Sequence, residues 1–336
     1  MPHDQRPAPH RKPGGCGRFC VLCLALCASL IGCYERKDAA VINPDGSGKM
    51  SIEILVAVPA QGLPGKEKPT AVTFGRQVAA NLINSTRGVD AWADLAITAG
   101  EGGRARIAAT AYFPDLNLLK FDMPLVFVWK RDPASGGAGG AGGAGGGGAT
   151  LAIERARTSV GKLSEQITEA ELTDMVAKAQ AQYKEQQLAL QTQLNAFKLD
   201  MSFELPGDVT DAHVLARAGN SVALTLEGKK AMLALDQFMA DEAALRATFK
   251  AGADLPGNDD IMLQSMYGQK GPVSAHVTFA ADAKAVFDYR TEARVAQLRQ
   301  ADMLQAAGVE LLPKFIVRPA TQPASQPASV PATGGK

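Results

Sequence analysis

Cysteine is scarce in this chain, and what there is sits at one end. The 336 residues contain five cysteines, Cys16, Cys20, Cys23, Cys27 and Cys33, and nothing after residue 33 can form a disulfide or a cysteine-ligated metal site. Histidine is almost as rare. Beyond His10 only His213 and His276 occur, with no spacing that proposes a metal site, so each reads as a solvated or core histidine and no metal or other cofactor is expected. The G-x-S-x-G, H-E-x-x-H and glycine-rich nucleotide fingerprints are all missing. Pro64-Gly65-Lys66 has no glycine five residues before Gly65 and no Ser or Thr after Lys66, which excludes a phosphate-binding loop. Aromatics are 6% of the chain, with Trp92 and Trp129 the two tryptophans. An excess of one charge is also missing. The 35 Lys and Arg against 34 Asp and Glu give no reason to expect nucleic acid or an anionic membrane surface as a partner.

What is present begins at the N-terminus. Arg6, Arg11, Lys12 and Arg18 precede an uncharged run from Phe19 to Gly32, FCVLCLALCASLIG. Fourteen residues are too few to span a bilayer, which needs about 20, and suit the apolar region of a signal peptide. The run ends Leu30-Ile31-Gly32-Cys33, which resembles the lipobox of bacterial lipoproteins. In that family a diacylglyceryl group is placed on the cysteine sulfur, a signal peptidase cuts just before it, and the new amine is usually acylated. A small residue such as Gly32 admits the protease, and a thiolate supplies the nucleophile for the thioether. The resemblance implies cleavage between Gly32 and Cys33, removal of residues 1–32 and anchoring of the remainder to a membrane. The removed part carries four of the 35 basic residues and one of the 34 acidic ones, leaving 31 against 33. One acyl chain anchors marginally, and two or three hold firmly.

After a short anchor segment, residues 33–38, strand and helix patterns alternate through residue 317. Between Ala39 and Ala57 the cluster Asn43-Pro44-Asp45-Gly46-Ser47-Gly48 leads into Met50, Ile52, Ile54 and Val56, a period of two after Asp-Gly that predicts a hairpin. A calcium loop in register with Gly48 would need glutamate where Ile54 stands. Thr73 to Thr86 reads as a short helix with Val78, Leu82 and Ile83 inward, and Ala91 to Tyr112 as two strands around Gly100-Glu101-Gly102-Gly103. A strand from Met123 to Trp129 precedes ten glycines and three alanines between Gly136 and Gly148, part of a glycine-rich stretch over residues 134–149. This tract reads equally as an interdomain linker or as an expanded hairpin loop.

Thr168 and Glu171 fit a capping box, and Leu172, Val176, Ala179, Tyr183, Leu190, Leu194 and Phe197 form one helical stripe, interrupted at Gln186 and Gln187. A helix covering a sheet is the plain reading. Alternation from Phe197 to Leu205 predicts a strand, closed by Pro206-Gly207-Asp208. Ser221 to Leu226 reads as a strand, Lys229 to about Phe249 as a helix, Val273 to Phe279 as a strand and Ala281 to Ala307 as a charged helix. In that helix Val286, Tyr289, Ala293, Ala296 and Leu304 are the inward candidates, and Glu292 and Arg294 read as a solvated face. Asp259-Asp260 caps a short helix rather than forming a catalytic pair. Residues 318–336, rich in Pro, Ala and Ser, read as a disordered tail.

The expected fold class is α+β, an antiparallel sheet built from hairpins and covered by long amphipathic helices. The run from Cys33 through NPDGSG, with AWADL, AYF and FELPGDV further on, is similar to a group of uncharacterised bacterial envelope lipoproteins. A more distant similarity, carried by the first hairpin, is to the LppM-like lipoprotein domain, which is thought to bind lipid. These resemblances imply a cell-envelope protein on the outer membrane or the outer face of the inner membrane. It would act as a non-enzymatic binding or scaffold module whose partners are membrane lipid, through acylated Cys33, and a lipid or envelope protein as ligand. The competing expectation is an exported hydrolase, with His213 or His276 meeting an acidic residue in a cleft.

Overall fold

A computed structural model describes residues 34–59, 67–123, 125–132, 147–155, 167–251, 256–280 and 284–311. Its elements are of mixed α+β class and form two mostly antiparallel sheets. The first hairpin lies where Asp-Gly placed it. Strands β1 (Tyr34–Ile42) and β2 (Gly48–Val56) pair antiparallel from Ile42 opposite Gly48 to Tyr34 opposite Val56. Gly46 takes φ +90 in the turn, a conformation that side chains other than glycine's resist. One difference is in length. Pairing runs through the whole of residues 34–38, so the segment assigned to a bare anchor is the first half of β1.

Strands β3 (Ala91–Ala99) and β4 (Ala105–Phe113) follow, then β5 (Leu125–Arg131), β6 (Gly148–Arg155), β7 (Lys198–Glu204), β8 (Asp208–His213), β9 (Ala216–Ala218), β10 (Ser221–Glu227) and β11 (Val273–Thr278). The larger sheet has the order β3-β4-β2-β1-β7-β10-β9, and the smaller β5-β6-β11-β8. The pairing is mostly antiparallel, as expected, and β1 with β7 is the exception, a parallel pair from Glu35 opposite Lys198 through Val41 opposite Glu204. A parallel pair needs a long crossover, and more than 150 residues separate these strands in sequence, beyond the reach of local pattern. Residues 133–146 of the glycine-rich stretch lie outside the described residues, but the strands on either side of it, β5 and β6, pair antiparallel with Arg131 opposite Ala149, as the hairpin reading requires.

Alternation decides which side chains meet. Ala40, Ile42, Met50, Ile52, Ile54, Ile107, Ala109, Leu199, Met201 and Phe203 of the larger sheet share one core with Phe127, Leu151 and Val277 of the smaller. Phe127 meets Phe203 edge-on, with centroids 5.5 Å apart. Helix α1 (Ala71–Ser85) lies against β3 and β4 and buries Leu82 and Ile83, two of its three expected positions, while Val78 is half-buried. Just beyond it, Gly88 has φ +78, and a Cβ there would stand 2.1 Å from the Leu118 carbonyl oxygen. Gly88→Ala should therefore lower stability by more than about 1 kcal/mol, read as a reduced urea midpoint with unchanged slope.

Helix α2 (Glu169–Leu194) carries the expected capping box. Thr168 Oγ1 accepts from Glu171 N at 3.2 Å, and the Glu171 carboxylate accepts from Thr168 N at 2.9 Å. Thr168→Ala should cost about 1 kcal/mol in thermal or chemical unfolding. The apolar stripe meets helices rather than a sheet. Leu172, Val176 and Ala179 pack with Phe238, Leu245 and Phe249 of α3 (Gly228–Ala240) and α4 (Glu242–Ala251). The break in the stripe has a partner too, since Gln187 donates to Asp236 at 2.7 Å and Tyr183 to the same carboxylate oxygen at 2.5 Å. The single helix expected from Lys229 to Phe249 is divided at Asp241, whose carboxylate caps Ala244 N at 3.0 Å and starts α4.

After α5 (Pro256–Tyr267), the last helix among the described residues, α6 (Tyr289–Ala307), starts eight residues later than expected because Asp288 caps it, accepting from Thr291 N at 3.1 Å. Val286 therefore precedes the helix and is exposed, while Ala293, Ala296 and Leu304 are buried as expected. This helix shields the edge strand β3, and the Gln300 side chain accepts from Trp92 N at 2.9 Å.

Candidate functional site

Leu30, Ile31, Gly32 and Cys33 lie outside the described residues, and the geometry next to them begins at Tyr34. Its ring stacks on Phe197 with centroids 6.1 Å apart and planes 8° from parallel. Arg36 and Asp38 follow on the same face of β1 as Ala40 and Ile42, and so they are driven into the core. They are 3% and 2% exposed. Arg36 Nε donates to Asp38 Oδ1 at 2.8 Å, Nη1 approaches Met123 Sδ at 3.7 Å, and the guanidinium lies 4.4 Å over the Phe121 ring. Among the described residues, Arg36 Nη2 and Asp38 Oδ2 find no hydrogen-bond partner within ordinary distance. Burial pushes the Asp38 carboxyl above its ordinary range, and the Arg36 charge counters only part of that rise. Extending the period of two one turn upstream of Ala40 would have exposed this pair, because Arg36, Asp38, Ala40 and Ile42 alternate in register.

At the other end of the same strands a cleft of about 490 Å³ lies between the first hairpin turn and the start of α6. Asn43 joins the two. Its Oδ1 accepts from Val286 N at 2.8 Å, while Nδ2 donates to Ser47 Oγ at 3.1 Å and the Phe287 carbonyl at 3.3 Å. Asp45 Oδ1 accepts from Ser47 Oγ at 2.6 Å and from Ser47 N at 3.0 Å, and Tyr289 donates to Asp90 at 2.7 Å. Lys284 and Arg290 balance Asp45 and Asp288 along its walls. Burial first, and then the Asp90 carboxylate, hold the Tyr289 phenol protonated well above its ordinary value. The turn's polar groups are thus spent on joining β1–β2 to α6. The cleft offers mixed charge and hydrogen bonding, and the Ser47 hydroxyl, held against the Asp45 carboxylate, is buried within the turn.

The remaining expected residues are separated. His213 Nε2 contacts the Lys270 carbonyl oxygen. His276, on β11, places Nδ1 at 3.3 Å from Thr150 Oγ1 and 3.7 Å from Asp132 Oδ2. A hydroxyl–histidine–carboxylate relay needs its two partners on opposite ring nitrogens. Here both face Nδ1, and the His276 and Asp132 side chains are partly exposed. Glu292 is not merely solvated: it accepts from Lys49 at 2.8 Å and from Tyr112 at 3.2 Å, tying α6 to the sheet. The side chains of Asp259 and Asp260 lie outside the described ones. Among the described residues no group of three or more His, Asp or Glu is placed to hold a metal ion. No helix among them is long and apolar enough to cross a membrane.

The protein is thus an α+β chain with two packed sheets, a helical layer and a buried ion pair close to its first strand residue. No protein-family model, curated protein or solved structure matches it.

Proposed function

We propose that this chain is an exported envelope lipoprotein, cut before Cys33 and held on a membrane by acyl chains on that cysteine. In this reading the folded domain is a non-enzymatic binding or scaffold module for a lipid or an envelope protein. The observation that carries the proposal is the ordered succession in the sequence: positive residues, fourteen uncharged positions, then Leu30-Ile31-Gly32-Cys33. The described fold accommodates that succession, because its first strand begins at Tyr34, the residue after the proposed anchor. Acyl chains would supply the membrane attachment that no described helix offers. A binding role fits better than hydrolysis, since the polar cleft at the first hairpin carries recognition groups and the His276 cluster lacks a relay.

Metabolic labelling with a tagged palmitate tests the anchor. Label should appear on the wild-type protein and vanish from Cys33→Ser. Equal labelling of both, or of neither, contradicts the proposal.

A further inference from the structure

We infer that the protein stands directly on the bilayer, laying down the end of the larger sheet that carries Tyr34, Val58, Gly102 and Phe197. The inference rests on the acylation of Cys33 proposed above and adds the orientation of the domain. An anchored domain on a flexible tether would take many orientations. Here there is no tether. The Cα atoms of Cys33 and Tyr34 are one peptide unit, about 3.8 Å, apart. Tyr34 is itself fixed, paired in register with Val56 and stacked on Phe197. The next residue, Glu35, is held opposite both Leu55 and Lys198, and its carboxylate accepts from Arg104 Nη1 at 2.5 Å. A glyceryl thioether on Cys33 can therefore sit among lipid headgroups only if this end of the sheet is brought to the same level.

The sheet register shows what else reaches that level. Val56 lies opposite both Tyr34 and Ala105, so the segment Ala57–Pro59 after β2 and the turn Gly100–Arg104 between β3 and β4 flank the anchor. Lys198 pairs with Glu35 and Glu227, which brings the start of β7 and the end of β10 alongside. The surface these segments form is partly open. Gly102 and Gly103 have free space around them, and Ala57, Val58 and Pro59 are half-buried. Its charges are mixed, Arg104 and Lys198 standing beside Glu35 and Glu101, which suits a zwitterionic headgroup plane and imposes no strong preference for an anionic one. β1 and β2 then run nine residues away from the membrane, a rise of about 30 Å. The Asn43–Ser47 cleft is carried at their far end, facing outward.

A depth measurement on the whole acylated protein decides this. Once Cys33 is a thioether the processed chain has no free thiol, so a single introduced cysteine can be labelled selectively. Glu101→Cys reports the proposed membrane face, and Ala218→Cys, on exposed β9, reports the far end. Each is labelled with an environment-sensitive fluorophore in vesicles of phosphatidylethanolamine and phosphatidylglycerol containing a headgroup-attached spin-labelled quencher. Quenching at position 101 should exceed that at 218 several-fold. Equal quenching in protein whose Cys33 carries acyl mass overturns the orientation and leaves the anchor standing. Protein that lacks acyl mass on Cys33 overturns the anchor and this inference with it.

Discussion

Replacing Asp38 with alanine should destabilise the protein by about 3–5 kcal/mol, a large part of a typical domain's total. The loss does not measure the worth of the ion pair. It is the cost of leaving Arg36, 3% exposed and always charged, in the core with its counter-ion gone. Among the described residues Arg36 Nη2 and Asp38 Oδ2 lack hydrogen-bond partners, so the pair is incompletely satisfied by them. An apolar replacement of both, Arg36→Met with Asp38→Leu, should therefore be neutral or stabilising, since it removes two desolvated charges from beside Phe121 and Met123. Urea unfolding of the two variants checks both halves. A cost below about 1 kcal/mol for Asp38→Ala would mean that water reaches the pair.

The same pair predicts an unusual pH response. The folded-state value of Asp38 is raised above its ordinary 3.8, so the folded protein binds a proton more readily than the unfolded chain there. By linkage, the contribution of this group to stability grows as pH falls from the raised value to 3.8, opposite to the usual acid loss from salt-bridged carboxylates. Wild type minus the double apolar variant, followed by unfolding at a series of pH values, isolates it.

The second large effect concerns location. Cys33→Ser should leave the chain unacylated and uncut before residue 33, and its retention on membranes by acyl chains should be lost. The serine hydroxyl is not ionised near neutral pH and does not form the thioether. Replacing Gly32 with a bulky residue should act differently, giving acylated chain that keeps residues 1–32, because only access to the scissile bond is blocked. Fractionation with a size readout separates these products. If Cys33→Ser stays with membranes as fully as wild type, another element holds the protein there.

Elements decided by neighbouring residues were legible in the sequence. Asp45-Gly46 with alternating Met50, Ile52, Ile54 and Val56 placed the first hairpin. Thr168 and Glu171 placed the start of α2, and ten glycines between two apolar runs narrowed that connection to two readings, one of which the pairing of β5 with β6 selects. What could not be read depended on distant partners. Nothing near Glu35 indicates Lys198 as its parallel neighbour, and the stripe of α2 shows an apolar face without showing that Phe238 and Leu245, not a sheet, cover it. Asn43 was legible as a turn residue only. Its grip on Val286 and Phe287 joins positions more than 240 apart. The polar cleft therefore had no local signature, whereas a lipobox is local by nature.

Mass spectrometry of the peptide that begins at residue 33, taken from protein purified out of the membrane fraction, tests the central claim most directly. The account predicts an N-terminus at Cys33, with the sulfur carrying a diacylglyceryl group and in most copies an acylated amine. A soluble cytosolic protein with residues 1–32 still attached and an unmodified Cys33 thiol would contradict it.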